Sequence, residues 1–340
     1  MEKLVIRKPD DMHLHLRQGE MLRICAPESA KWFARALVMP NTLPPVNSAE
    51  TLARYRAEII SAASSAGEDF TPLMSFKIYP GMKEGTVNAL ADAGAIAGKL
   101  YPEGSTTNAQ DGVKSWKQIK EALSAMEKRG LVLSIHGENP DSFVLDRESD
   151  YLPELFEIIE NYTSLKIVLE HVSGADAVLA VEKGPDTLAA TITVHHLYLT
   201  LDDLLGGGIN PHYFCKPVVK TGRDRDAVIS AALSGSGKFF FGSDSAPHPG
   251  ASKLSAKGSA GIYSAPAALP LLASLFEKHG ALMQLENFTS RFGAEFYGLP
   301  LNSSKITLEK HDYRIPESVS GIVPFMAGEI LEWNLCGKNS

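Results

Sequence analysis

Two histidines and an arginine stand at alternate positions in His13-Leu14-His15-Leu16-Arg17, directly after Asp10-Asp11-Met12. In an extended strand, side chains at i, i+2 and i+4 leave from one face. The spacing therefore predicts Asp11, His13, His15 and Arg17 on one side, with Met12, Leu14 and Leu16 packed on the other. Two imidazoles about 7 Å apart along a strand can converge on one cation, and neutral imidazole is the commonest nitrogen ligand for zinc. An arginine just beyond them would hold an anion beside that cation. An isolated His-x-His is also what a strand end with two hydrogen-bonded histidines looks like, so the rest of the chain has to decide.

The elements that would position these residues read as alternating strands and helices. Short apolar runs predict strands at Asp11 to His15, Ala36 to Met39, Leu73 to Tyr79, Ala95 to Tyr101, Leu131 to His136, Lys166 to His171, Ala189 to Val194 and Lys238 to Gly242. Between them, Asn47 with Glu50 reads as a capping box opening a helix through Ala63. Trp116, Ile119, Leu123 and Met126 form an apolar stripe between Ser115 as N-cap and Gly130 as terminator. Further helices are expected at Leu152 to Tyr162, Asp176 to Lys183, Arg223 to Leu233 and Pro266 to His279. Eight nearly continuous apolar strands alternating with helices fit a closed parallel (β/α)8 barrel, a TIM barrel covered on both sides. A doubly wound sheet would carry a glycine fingerprint after its first strand, which here ends in histidines. The chain is expected to be one domain over 1–340, with about 282–340 forming helices and irregular segments packed on the barrel.

In such barrels the catalytic groups lie at the C-terminal strand ends. There the sequence places His13 and His15, then Asn41, Lys99, His136, His171 and Asp244. Each alone has a plain structural reading as a strand-end histidine, a turn residue or a helix cap. Four histidines and an aspartate at one end of four strands are hard to explain by packing. Lys99 is the odd member, since a bare ammonium beside zinc-ligating histidines suffers desolvation and cation repulsion. A deprotonated amine that captured CO2 would instead be an anionic carbamate able to bridge two cations. A lysine whose head snorkels to solvent is the alternative.

Composition sets the outer bounds. The 340 residues are 44% hydrophobic and 21% charged, with a formal net charge of −7 and no basic run, which argues against a nucleic-acid partner. Small molecules and copies of the chain itself are the expected partners. The N-terminal residues lack the apolar core of a signal peptide, and no stretch approaches the roughly 20 apolar residues of a membrane span, so a cytoplasmic protein is expected. Cys25, Cys215 and Cys336 are too few and too scattered for a disulfide framework or a cysteine-rich zinc site.

Five motifs together resemble a known family. Asp11-Met12-His13-Leu14-His15-Leu16-Arg17, Met39-Pro40-Asn41-Thr42, Gly98-Lys99-Leu100-Tyr101-Pro102, His136-Gly137-Glu138 and Gly242-Ser243-Asp244-Ser245-Ala246-Pro247-His248 are similar, in order and spacing, to the shorter bacterial and plant type of dihydroorotase in the amidohydrolase superfamily. The resemblance implies two zinc ions: His13, His15 and Asp244 on one, His136 and His171 on the other, with Lys99 as a bridging N6-carboxylysine and hydroxide as second bridge. It implies reversible hydrolysis of the cyclic amide of (S)-dihydroorotate to N-carbamoyl-L-aspartate, a step of pyrimidine biosynthesis, with Asp244 as base and acid. It implies Arg17, Asn41 and His248 on the substrate carboxylate, with backbone near Ala260 and Gly261 meeting the ring. It also implies a homodimer.

The polar segment from Glu103 to Gly112 reads as a mobile flap, with Thr106 and Thr107 donating to bound substrate as in the family. Two places depart from the family pattern. Val194-His195-His196-Leu197 stands where Pro-Gln-His-Leu is expected, and Lys216 replaces an apolar residue in a loop whose main chain should approach the ring. The Lys216 side chain can point away, and the implied site is full without His195. The nearest rival is a hydantoinase or allantoinase; those relatives carry a β-rich domain built from both chain ends, for which the few residues before His13 leave no room. A catalytically dead barrel serving as a scaffold is the rival from another class, but such a relative is expected to lose the lysine or the aspartate, and both are present.

Overall fold

The computed structural model describes residues 2–336. Its first strand, β1 (Lys3–Arg7), stays outside the main sheet. Then come β2 (Asp10–Leu14), β3 (Arg35–Val38), β4 (Thr71–Lys77), β5 (Ala95–Leu100), β6 (Val132–Ile135), β7 (Ile167–Leu169), β8 (Leu188–Ile192) and β9 (Phe239–Phe241), each parallel to the one before. All eight expected strands are present, with ends within two residues of the expected bounds. The ring closes where Leu14 bridges Ser245, with the Asp244 amide donating to the His13 carbonyl at 2.9 Å. Asp11 clasps the same seam, accepting from the Ser243 amide at 2.8 Å and the Ser243 hydroxyl at 2.5 Å.

The strict alternation expected at the first histidine motif does not hold. Met12 packs inside the barrel with Leu37, Leu73, Val132, Val168 and Phe240, whereas Leu14 and Leu16 join the outer core. The pairing of β2 with β3 shifts between Asp11 and Leu14, and such an irregularity flips the faces that follow. Asp11 therefore serves the seam, while His13 is freed to turn inward. Gly242 makes the room: a Cβ there would lie 2.9 Å from the Cβ atoms of His13 and Thr191.

Amphipathic helices cover the barrel. The helix Ala49–Ser65 is capped by Ser48 with Thr51, one residue beyond the expected Asn47 and Glu50 pair, because Thr51 supplies the hydroxyl that reaches back to the Ser48 amide. The stripe after Ser115 begins as a 3-10 turn over Trp116–Ile119, continues as the helix Lys120–Arg129 and stops at Gly130, whose φ is 65°. Phe292, Phe296 and Tyr297, of the short helix Phe292–Tyr297, pack against the inner cluster.

The C-terminal stretch is not only helical and irregular. It contributes β10 (Lys305–Arg314) and β11 (Ile330–Leu335), which form an antiparallel sheet with β1 in the order β1-β10-β11. The five residues of β1 are thus enough for the N-terminal end to join a β-structure with the C-terminal one, which corrects the expectation that they leave no room for it. Residues 337–340 of the expected extension lie outside the described residues.

Candidate active site

At the C-terminal mouth of the barrel the structure brings His13, His15, Lys99, His136, His171 and Asp244 together, all buried. The ring nitrogens are oriented by partners behind them. His13 Nδ1 lies 2.7 Å from Glu170 Oε2, and Glu170 also accepts from Thr191 Oγ1 at 2.6 Å and from the Ser134 hydroxyl. Burial works against the Glu170 charge, but His13, Lys99 and these hydrogen bonds hold its carboxyl below the usual range. An ionised Glu170 accepts from the His13 Nδ1–H, which turns the unprotonated Nε2 toward Asp244 Oδ1, 3.4 Å away. His15 repeats the pattern: Nδ1 donates to Asn41 Oδ1 at 2.9 Å, and Nε2 lies 3.2 Å from the same Asp244 oxygen.

The second pair is built alike. His136 Nε2 donates to Glu138 Oε2 at 2.7 Å, so its Nδ1 lone pair faces His171 Nε2 at 3.1 Å. Burial pulls the His15 imidazole down to about 4, and desolvation, aided by its neighbours, also depresses His136 and His171. Burial thus favours the uncharged form of His15, His136 and His171. Although burial raises the Asp244 carboxyl, the imidazoles of His15 and His13 packed against it hold it well below the ordinary carboxylate range. The donor atoms of His13, His15 and Asp244 lie within 4.8 Å of one another.

Lys99 completes the set. Its Nζ is fully buried with no hydrogen-bond partner, 5.3 Å from the centroid of the Tyr101 ring. Desolvation pulls the ammonium down to about 8, against the charges of Glu170 and Asp244. The free amine is therefore accessible near neutrality, and an orphaned group of this kind fits a modified lysine shared between two cations.

Arg17 lies half-buried at the rim, giving Nε to the Pro247 carbonyl at 3.0 Å, and Nη2 lies 3.0 Å from His248 Nε2. Among the described residues no carboxylate is ion-paired with it. His248, pushed down to about 3 by burial and by Arg17, also lies 3.0 Å from the Ala260 carbonyl. Arg17, His171 and Asp244 all hold positive φ, at 60°, 44° and 42°, strain of the kind that gathers at functional sites.

Asn41, Thr106, Thr107, Ala260 and Gly261 line the same cavity, as do Tyr101 and Ala246. Lys216 lines it too, half-buried, rather than pointing away. The cavity is narrow, leaving about 20 Å³ free. Sequence reasoning did not single out Glu170 or Glu138, although both stand beside the histidines it named; their signal was a carboxylate one or two residues from a strand-end imidazole.

His195, His196 and Cys215 form a second buried group of metal-ligating types. His196 is already satisfied, with Nδ1 2.9 Å from Thr193 Oγ1 and Nε2 donating to the Pro217 carbonyl at 3.0 Å, which also accepts from the Cys215 thiol. That leaves His196 no lone pair to offer a cation.

Comparison with known proteins agrees with this architecture. The amidohydrolase family model matches residues 6–310. A dihydroorotase from Alkalilimnicola ehrlichii is 43% identical, over 98% of this chain and 100% of its own. Among solved structures, dihydroorotase from Saccharomyces cerevisiae in complex with 5-fluoroorotic acid superposes with a TM-score of 0.92 at 34% identity, covering 98% of both chains. Dihydroorotase from Campylobacter jejuni superposes at 0.91 with 39% identity, covering 98% of this chain and 97% of its own. The chain belongs to the amidohydrolase family, and its barrel and site are those of a cyclic amidohydrolase. Within that family it falls in the dihydroorotase branch. Among the described residues no helix is long and apolar enough to cross a membrane.

Proposed function

We propose that this enzyme opens and closes the cyclic amide of (S)-dihydroorotate, giving N-carbamoyl-L-aspartate, at a site that holds two zinc ions. His13, His15 and Asp244 would hold one ion and His136 and His171 the other, with Lys99, as its carbamate, shared between them. When bound, the ions supply a water acidified enough to attack at neutral pH and a Lewis acid for the amide carbonyl. The observation that carries this reading is the buried, unpartnered Lys99 Nζ at a mouth where ring nitrogens of His13 and His15 approach Asp244 and those of His136 and His171 approach each other.

The chain's own groups then divide the work. Asp244, ionised and strained at the seam, takes the proton of the attacking water and returns it to the departing ring nitrogen. Arg17, a half-buried cation with no carboxylate ion-paired to it among the described residues, takes the substrate carboxylate on its planar fork, and Asn41 and His248 flank it. The backbone at Ala260 and Gly261 meets the ring, and Thr106 and Thr107 close over it, excluding water. Lys216 reaches the same cavity and adds positive charge beside an anionic substrate.

A hydantoinase-like preference is the competing reading, and Arg17 argues against it because those rings carry no carboxylate for it to bind. Turnover of dihydroorotate measured beside hydantoin and allantoin tests the proposal. Preference for dihydroorotate is expected, and preference for either other ring would overturn it.

A further inference from the structure

One buried cation at the barrel mouth has no part in the chemistry proposed above. Lys77 ends β4 with its side chain only 3% exposed, directly opposite Lys99 in the β4–β5 register. A buried ammonium has to find acceptors. Both of those it finds come from the flap and neither from the barrel: Nζ donates to the Asn108 carbonyl at 2.8 Å and is ion-paired with Asp111. The Asp111 side chain is itself 63% exposed, so the pair joins the barrel interior to the outer edge of the flap.

Asn108 is shaped for this contact. It holds the left-handed conformation at φ 58°, presenting its carbonyl to Lys77 while its Nδ2 donates to the Asn41 carbonyl at 2.9 Å. Asn41 Nδ2 in turn donates to the Thr107 carbonyl at 3.2 Å. The two residues that face the cavity, Thr106 and Thr107, are thus followed at once by backbone tied to Lys77 and Asn41. Opening the flap strips Lys77 of both acceptors until water replaces them, which biases the segment toward the closed state.

We infer that Lys77, with Asp111, is the latch that holds the flap shut over bound substrate and so positions Thr106 and Thr107. Lys77 is a positioning residue acting through the flap. The inference rests on the flap role given to those threonines above.

The test uses the full-length, zinc-loaded enzyme and the variants Asp111→Asn, Lys77→Met and the pair. Hydrogen exchange of the peptide amides of 103–112 should quicken about tenfold in either single variant, and no further in the double one. The kcat/KM for dihydroorotate should fall about tenfold with zinc content unchanged. In a Thr106→Val, Thr107→Val background the added cost of Asp111→Asn should shrink below about twofold, because the latch then has nothing left to position. Unchanged flap exchange in both single variants, or a full additional loss in the threonine-free background, would overturn the latch. Should Lys77→Met fail to fold, Asp111→Asn alters an exposed carboxylate and carries the test alone. If the wild-type enzyme fails to turn over dihydroorotate, the proposed reaction falls while the exchange comparison still decides the latch.

Discussion

Lys77 and Lys99 face each other across two adjacent barrel strands, both buried, and their surroundings differ in one respect. Lys77 has two acceptors, delivered by a loop more than 30 residues further along the chain. Lys99 has none, although Glu170 and Asp244 act on it from a distance. A protein interior tolerates an ammonium when something is brought to meet it. The ammonium that meets nothing is the one whose chemistry is unfinished, and its depressed pKa of about 8 shows how near the neutral amine lies. The same residue type at paired positions thus grips a loop in one place and, in the proposed reading, would be modified to hold metal in the other.

Removing the amine of each lysine separates these roles most sharply. Lys99→Ala should abolish turnover, by about a thousandfold or more, and lose the paired metal, with partial recovery on adding zinc and a short carboxylic acid. Wild-type activity in that variant would refute the shared-ligand role. Lys77→Met should instead keep its full metal content, measured by elemental analysis. Removing the carboxylate behind the first histidine comes next: Glu170→Gln should weaken metal binding about 10- to 100-fold, read by competition with a chelator, because His13 loses the partner that fixes its tautomer. Arg17→Lys should raise KM for dihydroorotate about tenfold with a smaller change in kcat, since a point charge cannot hold both carboxylate oxygens; an unchanged KM would remove the carboxylate assignment.

The smallest effect concerns pH. The Lys77 hydrogen bond holds the Asp111 carboxyl below its ordinary value, so the contribution of the pair is complete above the usual aspartate range and is lost only as pH falls through the depressed value. Flap exchange, corrected for its intrinsic pH dependence, should be the same at pH 7 and pH 5. A marked loosening by pH 5 would mean that the pair is weaker than its geometry suggests.

Much of this was legible in the sequence, for a physical reason. Barrel strands are buried on both sides, so runs such as Phe239-Phe240-Phe241 and Leu188 to Ile192 stand out against their flanks, and polar residues at their ends are conspicuous. The β1-β10-β11 sheet was not legible. In β10 only Ile306 and Leu308 are buried among polar residues, and its partner β1 lies some 300 residues away in the chain. The helix Gly19–Trp32, with Pro27 inside it, carries a signal that ordinarily argues against helix. Lys77 fell within an expected strand, but nothing local marks a residue whose partners are supplied by a distant loop.

The seam at which Asp11 clasps Ser243 sets a schedule for the molecule. Those residues stand 232 positions apart, and His13 and Asp244 come together only when the first and eighth barrel strands meet. A chain still being synthesised owns the first two histidines long before it owns the aspartate. A cation shared by these ligands, as proposed, would find its full site only once the ring has closed and would then staple nearly the whole barrel. Covalent closure of a loop of that length removes roughly 5 kcal/mol of chain entropy from the unfolded state. Loading the proposed metal would thus also mark the ring as complete.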